Sequence, residues 1–518
     1  METNLGQVVL VKDINPEAND FGSDLDNLTE FNDRLYFSAD DSETGKELWV
    51  SDGTSEGTTL LKDIKSGSSS SFPRNLTVFG DRLYFSADDG ENGRQLWVSD
   101  GTTEGTIPVG ADNPFAYSFT VFNDRLYFSA NGVGGRELWV SDGITEGRSL
   151  VKDINPESGR FNGSFPIYLT VFNDRLYFSA NDGETGRELW VSDGTTEGTQ
   201  LFKDIYPGVY SSTPQDLTVF NDRLYFTAYA PENGRGIWAS DGTTEGTTLL
   251  KDFNPRIDAY GDPYNYDSIN FTEFDGRLYY TRGELFVTDG TTEGTSLFKD
   301  INSGFDSNPN NLVVFNDRLY FTADDGENGE EIWVTDGTTE GTILVADINP
   351  GENDYVFAYN YSDYNIGTRN LVVVNDELFF AANNGETGNE LFKLTIDGSD
   401  DSKDGETLIG GNGKDNLVGG AGDDSLSGGN GKDTLDGGAG FDTLFGGNAK
   451  DIFVLRAESG EDTITDFARG SDRLGLADNL QFEQLSFVGN TIQLETDVLA
   501  TLVGIDTESL TADDFTII

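Results

Sequence analysis

From the amino terminus to about residue 394 the chain alternates short apolar runs with polar turns, and the alternation itself repeats. The clearest unit is LTVFNDRLYFSANDGETGRELWVSDGTTEGTQLFKDI, Leu169 to Ile205. Its LYF element recurs at Leu35, Leu83, Leu126, Leu176, Leu224, Leu278, Leu319 and, as LFF, at Leu378. Its DGT element recurs at Asp52, Asp100, Asp142, Asp193, Asp241, Asp289 and Asp336. LTVF and RLYFSA are β-branched and aromatic runs joined by Asn-Asp, a two-residue hairpin signal. ELWVS follows after a loop of the ADDGENG kind, and the glycines of DGTTEGT suit the positive φ of a turn into TLLKDI. Four strands in every unit of roughly 40 to 50 residues predict a propeller blade.

The longest and most variable connection runs from KDI to the next LTVF. A propeller needs such a link between the outer strand of one blade and the inner strand of the next, so LTVF should be innermost and KDI outermost. On this phasing Val8 to Ile14 is a strand without a blade, and the last unit, ending at Leu391–Leu394, is a blade without a fourth strand. The two should pair and close the ring, leaving no exposed edge. The unit resembles the ELWxxDGT repeat family of bacterial surface and secreted proteins, and its layout is similar to the six-bladed propellers with Tyr-Trp-Thr-Asp repeats. That resemblance speaks to architecture more than to function.

All six tryptophans, Trp49, Trp97, Trp139, Trp190, Trp238 and Trp333, stand at one place in the unit, with Phe286 and Phe392 there in the other two copies. They read either as aromatic platforms for sugars or as packing between blades, and a large flat side chain once per blade favours packing. Arginines recur before LYF (Arg34, Arg82, Arg125, Arg175, Arg223, Arg277, Arg318) and an aspartate recurs in KDI (Asp13, Asp63, Asp153, Asp204, Asp252, Asp300, Asp347). These pair across strands or blades, or simply face solvent. Acidic loops such as Asp88-Asp89-Gly90-Glu91-Asn92-Gly93 lack a full calcium-loop pattern and read as turns. The repeat is broken at few places: Tyr280–Gly283 shortens one loop, and the Tyr-rich insertions Asp258–Tyr266 and Tyr355–Tyr364 enlarge two others.

After Lys393 a polar stretch, IDGSDDSKDGET, leads into a nine-residue repeat: GGNGKDNLV from Gly410, GGAGDDSLS from Gly419, GGNGKDTLD from Gly428, GGAGFDTLF from Gly437 and GGNAKDIFV from Gly446. Five copies in register match GGxGxDxUx and resemble the repeats-in-toxin (hemolysin-type) calcium-binding family. Leu417, Leu426, Leu435, Leu444 and Phe453 at the eighth place form a narrow inward core, and Gly tolerates the turn after each short strand. The resemblance implies calcium between turns one full coil apart. Its ligands there are the sixth-place carboxylates, Asp415, Asp424, Asp433, Asp442 and Asp451. Backbone carbonyls of the glycine turn complete the set, at Gly411 and Gly413, Gly420 and Gly422, Gly429 and Gly431, and Gly438 and Gly440. Hard oxygen ligands in a flexible site suit Ca²⁺. Pairing each copy with the next but one gives three sites, with Asp433 in the middle copy bordering its neighbours'. The run before Gly410 is degenerate, with Glu406 where Asp is expected, and Ala449 replaces the fourth-position Gly of the last copy.

The remaining tail, through EDTITDF and DRLGLADNLQFEQLSF to LTADDFTII, resembles the C-terminal region of calcium-roll proteins exported by type I secretion. The expected fold is therefore all-β: an eight-bladed β-propeller (1–394), a linker and degenerate repeat (395–409), a short parallel β-roll (410–454), and a β-rich cap with a secretion signal (455–518).

Composition narrows the chemistry. There are 33 Lys plus Arg against 92 Asp plus Glu, a net charge of −59. Such a surface repels nucleic acid and anionic membranes and gathers cations. With no Cys and no His there is no disulfide, thiolate site or imidazole, which leaves carboxylates and carbonyls, the ligands of a hard cation. METNLGQVVLVKDI is not expected to be a signal peptide, and no segment is long and apolar enough to span a bilayer. The reading is a secreted or cell-surface calcium-binding protein, not an enzyme, whose partners are calcium, the type I secretion apparatus and an extracellular glycan or protein, with self-association open. The alternative is an extracellular hydrolase or lyase using carboxylates at the propeller channel.

Overall fold

The computed structural model describes residues 7–16, 22–109, 116–132, 134–143, 148–156, 163–253, 269–346, 348, 371–375, 377–384, 387–395, 407–409, 412–413, 416–420, 422–457, 459–477 and 480–517. The chain divides into two compact units, Val8–Thr395 and a second that holds Ile396–Ile518.

The first unit contains, among the described residues, eight four-stranded antiparallel sheets. In blade 1 the strands Asp26–Phe31, Arg34–Asp40, Lys46–Ser51 and Thr59–Lys62 lie in chain order from inside to outside. The inner strands of blades 2 to 8 are Arg74–Phe79, Ala116–Phe122, Ile167–Phe172, Gln215–Phe220, Phe271–Phe274, Asn310–Phe315 and Leu371–Val374. Each touches the next, and the eighth touches the first. The LTVF element is therefore innermost. Blade 8 supplies three strands, ending with Asn389–Thr395, and the strand Gln7–Lys12 completes it from outside. Ring closure by the first strand is as expected.

The repeat's residues explain the ring. Asn32 and Asp33 have φ of 52° and 57°, as do their counterparts near those values, so Asn-Asp makes the mirror-image turn that matches strand twist. Each blade then buries one face against its neighbour. Leu48, Val50 and Ile64 of blade 1 pack with Leu83, Phe85 and Trp97 of blade 2, and Val140 and Ile154 of blade 3 pack with Phe178 and Trp190 of blade 4. The tryptophans thus lie in interblade cores, with Trp97 stacked on Phe85 and Trp238 on Phe226.

The DGTTEGT turn faces the preceding blade. Asp193 Oδ1 accepts from Thr195 N and Oγ1 at 2.9 and 2.7 Å and so closes its own turn. Lys152, the Lys of the preceding KDI, donates to Thr199 O at 2.7 Å, and Thr196 Oγ1 donates back to Val151 O at 2.7 Å. Lys12 and Lys203 make the same clasp with Thr58 O and Thr247 O. The arginine before LYF lies near the DGT aspartate of its own blade, Arg175 helping to hold Asp193 below the usual range after the Thr195 hydrogen bonds. Among the described residues no ion pair joins these arginines to a KDI aspartate.

Gly194 has φ of 92°, and a Cβ there would lie 2.4 Å from the Tyr127 hydroxyl of the preceding blade. Gly194→Ala should therefore cost about 2–4 kcal/mol, backbone strain and clash together. Gly67→Ala, at φ of 98° with nothing within 4 Å, should cost only the backbone part, about 1–2 kcal/mol. Denaturant unfolding followed by tryptophan emission separates the two.

In six of the eight blades a glutamate ties the outer connection down. Glu188 is fully buried and accepts from Ile205 N at 2.8 Å, Ser212 N at 2.7 Å and Ser212 Oγ at 2.6 Å. Glu47 repeats this with Ile64 and Ser71, and Glu137 with Ile154 and Ser164. Burial, with a neighbouring KDI aspartate adding to it, holds Glu47, Glu188 and Glu390 at about 7 in spite of these donors. Gln95 and Gly236 take the position in blades 2 and 5.

Candidate metal centre

The second unit is a stack of parallel strands with two residue lines running through it. Thr407–Ile409, Ser425–Ser427, Thr443–Phe445, Asp462–Ile464 and Asp497–Leu502 form the parallel part of one sheet, which Thr491–Leu494 and Leu485–Val488 extend antiparallel; Asn416–Val418, Thr434–Asp436, Ile452–Leu455, Arg473–Leu476 and Phe515–Ile517 form a second, and Asn412–Gly413, Asn430–Gly431 and Asn448–Ala449 a small third. Residues 18 apart therefore stack, Leu426 on Leu444 and Leu417 on Leu435. Leu417, Leu426, Leu435, Leu444 and Phe453 form the buried core.

The glycines stack too. A Cβ on Gly438 would meet Gly420 O at 2.1 Å, and one on Gly440 would meet Gly422 O at 1.7 Å. The same holds for Gly447 over Gly429. Only glycine lets the turns approach this closely. Ala449, paired with Gly431, carries a φ of 103° where the other copies have glycine, a strained conformation held by the coils on either side.

This stacking brings the aspartates into two columns. Asp442 Oδ1 accepts from Asp424 N at 2.8 Å, and Asp451 Oδ1 accepts from Asp433 N at 2.9 Å. Asp424, Asp433, Asp442 and Asp451 are all buried. Asp415 and Gly411 lie outside the described residues, and Gly413 pairs with Gly431. The columns run on past the last nonapeptide. Asp472 Oδ1 accepts from Asp451 N at 3.2 Å, and Asp462 stands beside Asp442. Asp466 receives Gly446 N and Gly447 N at 2.9 and 2.7 Å.

Asp462, Asp466 and Asp472 were not singled out from the sequence. The signal was there for two of them, since GEDTI (Gly460–Ile464) and GSDRL (Gly470–Leu474) repeat the GxDxU half of the nonapeptide. Insertions of two residues before Asp462 and one more before Asp472 hid the period.

The donor set fits a hard cation. An imagined methyl group on Gly419 would lie 2.4 Å from Asp424 Oδ2 and 2.5 Å from Gly437 O, and one on Gly428 would lie 2.5 Å from Asp433 Oδ2 and 2.7 Å from Gly446 O. Carboxylate and carbonyl oxygens thus line a gap that glycine alone leaves open. Asp442 Oδ2 and Asp462 Oδ1 are buried with no hydrogen-bond partner among the described residues. Burial, then the Asp442 charge, pushes Asp462 far above the ordinary carboxylate range, and burial raises Asp451 to about 6. Buried oxygens with too few donors and too much negative charge are what a bound cation relieves. Among the described residues no three carboxylates converge on one point, so each gap would rely on carbonyls as well, as Ca²⁺ allows.

In the propeller, a cavity of about 460 Å³ lies against the inner strands of blades 1–5, lined by Asn27, Thr29, Asn75, Thr77, Ser118, Thr120, Tyr168 and Thr170 together with Leu28, Leu76, Phe119, Leu169 and Leu217. The two Tyr-rich insertions, Asp258–Tyr266 and Tyr355–Tyr364, lie outside the described residues apart from the flanking strands. Asp89 Oδ1 accepts from Glu91 N and Asn92 N, so that acidic loop is closed on itself as a turn.

No curated protein matches the chain. Among solved structures, the computationally designed Ika8 protein aligns with 16% identity over 74% of this chain and 100% of its own, at a TM-score of 0.44. BamB from Moraxella catarrhalis aligns with 12% identity over 75% of this chain and 98% of its own, at 0.41. A prolyl endopeptidase aligns with 12% identity over 75% and 57%, at 0.42. Residues 409–444 and 427–464 match the family of RTX calcium-binding nonapeptide repeats, and the roll is the part of the chain that this likeness covers.

Proposed function

We propose that this chain is a calcium-binding protein of the cell exterior, in which a propeller of ELWxxDGT repeats binds a partner or builds structure and a calcium-loaded roll governs folding of the C-terminal unit. The observation that carries this reading is the pair of buried aspartate columns, Asp424–Asp442–Asp462 and Asp433–Asp451–Asp472, separated by glycine turns. The proposed ligands are Asp415, Asp424, Asp433, Asp442 and Asp451, with carbonyls of the glycine turns; bound calcium would neutralise the columns and join successive coils. Residues 455–518 act as cap and as the signal read by a type I secretion apparatus. A roll with so many facing carboxylates is unfolded in a low-calcium cytosol and folds outside, where calcium binds the native form.

The propeller is a binding module and not an enzyme. Near-uniform blades support this, as does a cavity at the inner strands of blades 1–5 whose lining holds amides, hydroxyls and apolar side chains but none of the carboxylates a hydrolase or lyase would need. Calorimetric titration of the full chain tests the calcium reading: about three or more Ca²⁺ bind per chain, and Mg²⁺ at equal concentration does not displace them, because it demands tighter octahedral geometry. Absence of calcium heat, or equal competition by Mg²⁺, contradicts it.

A further inference from the structure

Six inner strands carry a bulge, and the bulge residues are not used alike. In blades 1 to 5 and 7 the register against the second strand shifts within the first half of the inner strand. One residue there takes a left-handed conformation: Asn27, Asn75, Ser118, Tyr168, Asp216 and Asn311, with φ from 52° to 60°. A regular strand shows alternate residues to one side, whereas a bulge lets consecutive residues face the same space. Three consecutive residues from each of blades 1 to 4 accordingly line the cavity of about 460 Å³.

Three of these side chains are spent inside the fold. Asn27 donates to Asp26 Oδ1 and accepts from Asn75 N, Asp216 Oδ2 accepts from Ile269 N at 2.9 Å, and Asn311 Nδ2 donates to Thr322 Oγ1 at 3.4 Å. The other three stand on adjacent blades and share the cavity. The Asn75 amide, the Ser118 hydroxyl and the Tyr168 hydroxyl make no hydrogen bond among the described residues. Beside them Thr120 and Thr170 spend their hydroxyl hydrogens on Leu169 O and Leu217 O of the next blade, at 2.8 and 3.0 Å, and so offer a ligand only acceptor oxygens. No charged side chain lines the cavity. Tyr168 departs furthest from the repeat: where Asn, which tolerates positive φ, stands in blades 1, 2 and 7, it holds a bulky ring in a left-handed conformation. Strain of this kind gathers at ligand sites. Burial, then the Asp216 charge, keeps its phenol well above the ordinary range, so it is a neutral hydroxyl.

We propose that this cavity binds a neutral saccharide, its hydroxyls on Asn75, Ser118 and Tyr168 and its apolar faces on the leucines and Phe119 of the wall. The threonine oxygens require donors, while the amide and the two hydroxyls accept partners of either sense; a sugar hydroxyl both donates and accepts, and meets each of them. An aliphatic ligand would leave these groups unpaired, and a charged one would enter a space that holds no counter-charge. Apolar side chains interleaved with the polar ones match the C–H faces of a pyranose, and about 460 Å³ lies within the range of small-ligand sites.

This inference rests on the propeller being a binding module and is independent of the calcium roll. The test is calorimetry of the full chain in calcium with cellobiose, lactose, maltose and N,N′-diacetylchitobiose, and with digalacturonate as the charged counterpart. At least one neutral disaccharide binds, and digalacturonate binds at least about tenfold more weakly, because its charge goes unpaired. Asn75→Gly suits the φ of 57° and keeps both backbone hydrogen bonds of the residue, to Asn27 Oδ1 and from Thr77 Oγ1, yet it weakens sugar binding about tenfold. Tyr168→Asn restores the residue of blades 1, 2 and 7 and weakens binding by about as much or more, while tryptophan emission shows the propeller folded. Where Tyr168→Asn loosens the fold, Asn75→Gly carries the test. The proposal is overturned by absence of binding across the panel, by digalacturonate binding as tightly as the best neutral sugar, or by binding that Asn75→Gly leaves within about twofold of the native value. Each of these leaves the binding-module reading standing. Cleavage of a bound disaccharide, detected by chromatography of the titrated sample, contradicts that reading and this inference with it.

Discussion

Replacing Asp442 by alanine should raise the calcium concentration that orders the roll by at least about 100-fold, since even partners behind a metal's ligands change affinity 10- to 100-fold. Asp442 stands in mid-column: its Oδ1 takes the amide of Asp424, and Asp462 lies on its other side. Its loss strips a carboxylate from the gaps on both sides. Without calcium the sign reverses. Burial and the charges of Asp423 and Asp436 already raise the Asp442 carboxyl, so removing it relieves repulsion and leaves the calcium-free roll no less ordered than before. Asp433→Ala should act in the same way on the other column. Asp497→Ala, an exposed position in the same unit, should leave the calcium midpoint unchanged. Calcium titration of far-ultraviolet circular dichroism measures all three, and a midpoint for Asp442→Ala within threefold of the native one contradicts the assignment.

Glu188→Ala should destabilise the propeller by about 3–5 kcal/mol, the usual cost of breaking a buried charged network from one side. The variant leaves Ile205 N, Ser212 N and Ser212 Oγ without their acceptor in a closed interior. Glu188→Gln should cost less, because Gln95 occupies the same place in blade 2. A pH dependence follows from the same ring. Glu47, Glu188 and Glu390 titrate at about 7 in the fold, chiefly through burial, and near the ordinary value of 4.5 when unfolded. The folded state then holds more protons than the unfolded one across that window, so stability is greatest below about 4.5 and is lost as pH rises through 7. The melting temperature of the propeller should fall between pH 5 and 8, less steeply in Glu188→Gln. A rise over that range contradicts the sign.

Much of this architecture could be read from residues alone. The variable KDI–LTVF link set the phase of the blades, and the orphan strand at Val8 announced the closure seen between Gln7–Lys12 and Asn389–Thr395. The nine-residue period placed Leu417, Leu426, Leu435, Leu444 and Phe453 in one core. What escaped notice acts across distance or out of phase. Glu188 binds groups 17 and 24 residues away on a neighbouring connection, and nothing in ELW marks it as buried. The glycine of DGT answers to a tyrosine in the preceding blade. Asp472 follows Asp451 by 21 residues instead of 18, so the column leaves the strict repeat while continuing in space.

Hydrogen exchange of the full chain, with and without calcium, tests the calcium switch most directly, with tryptophan emission recorded in parallel. All six tryptophans lie between residues 49 and 333, so their emission reports the propeller alone. In chelator, amides of residues 407–517 should exchange as in an unfolded chain while propeller amides and emission stay unchanged, and millimolar calcium should restore protection along both aspartate columns together. Equal protection of residues 407–517 in chelator and in calcium would contradict the account.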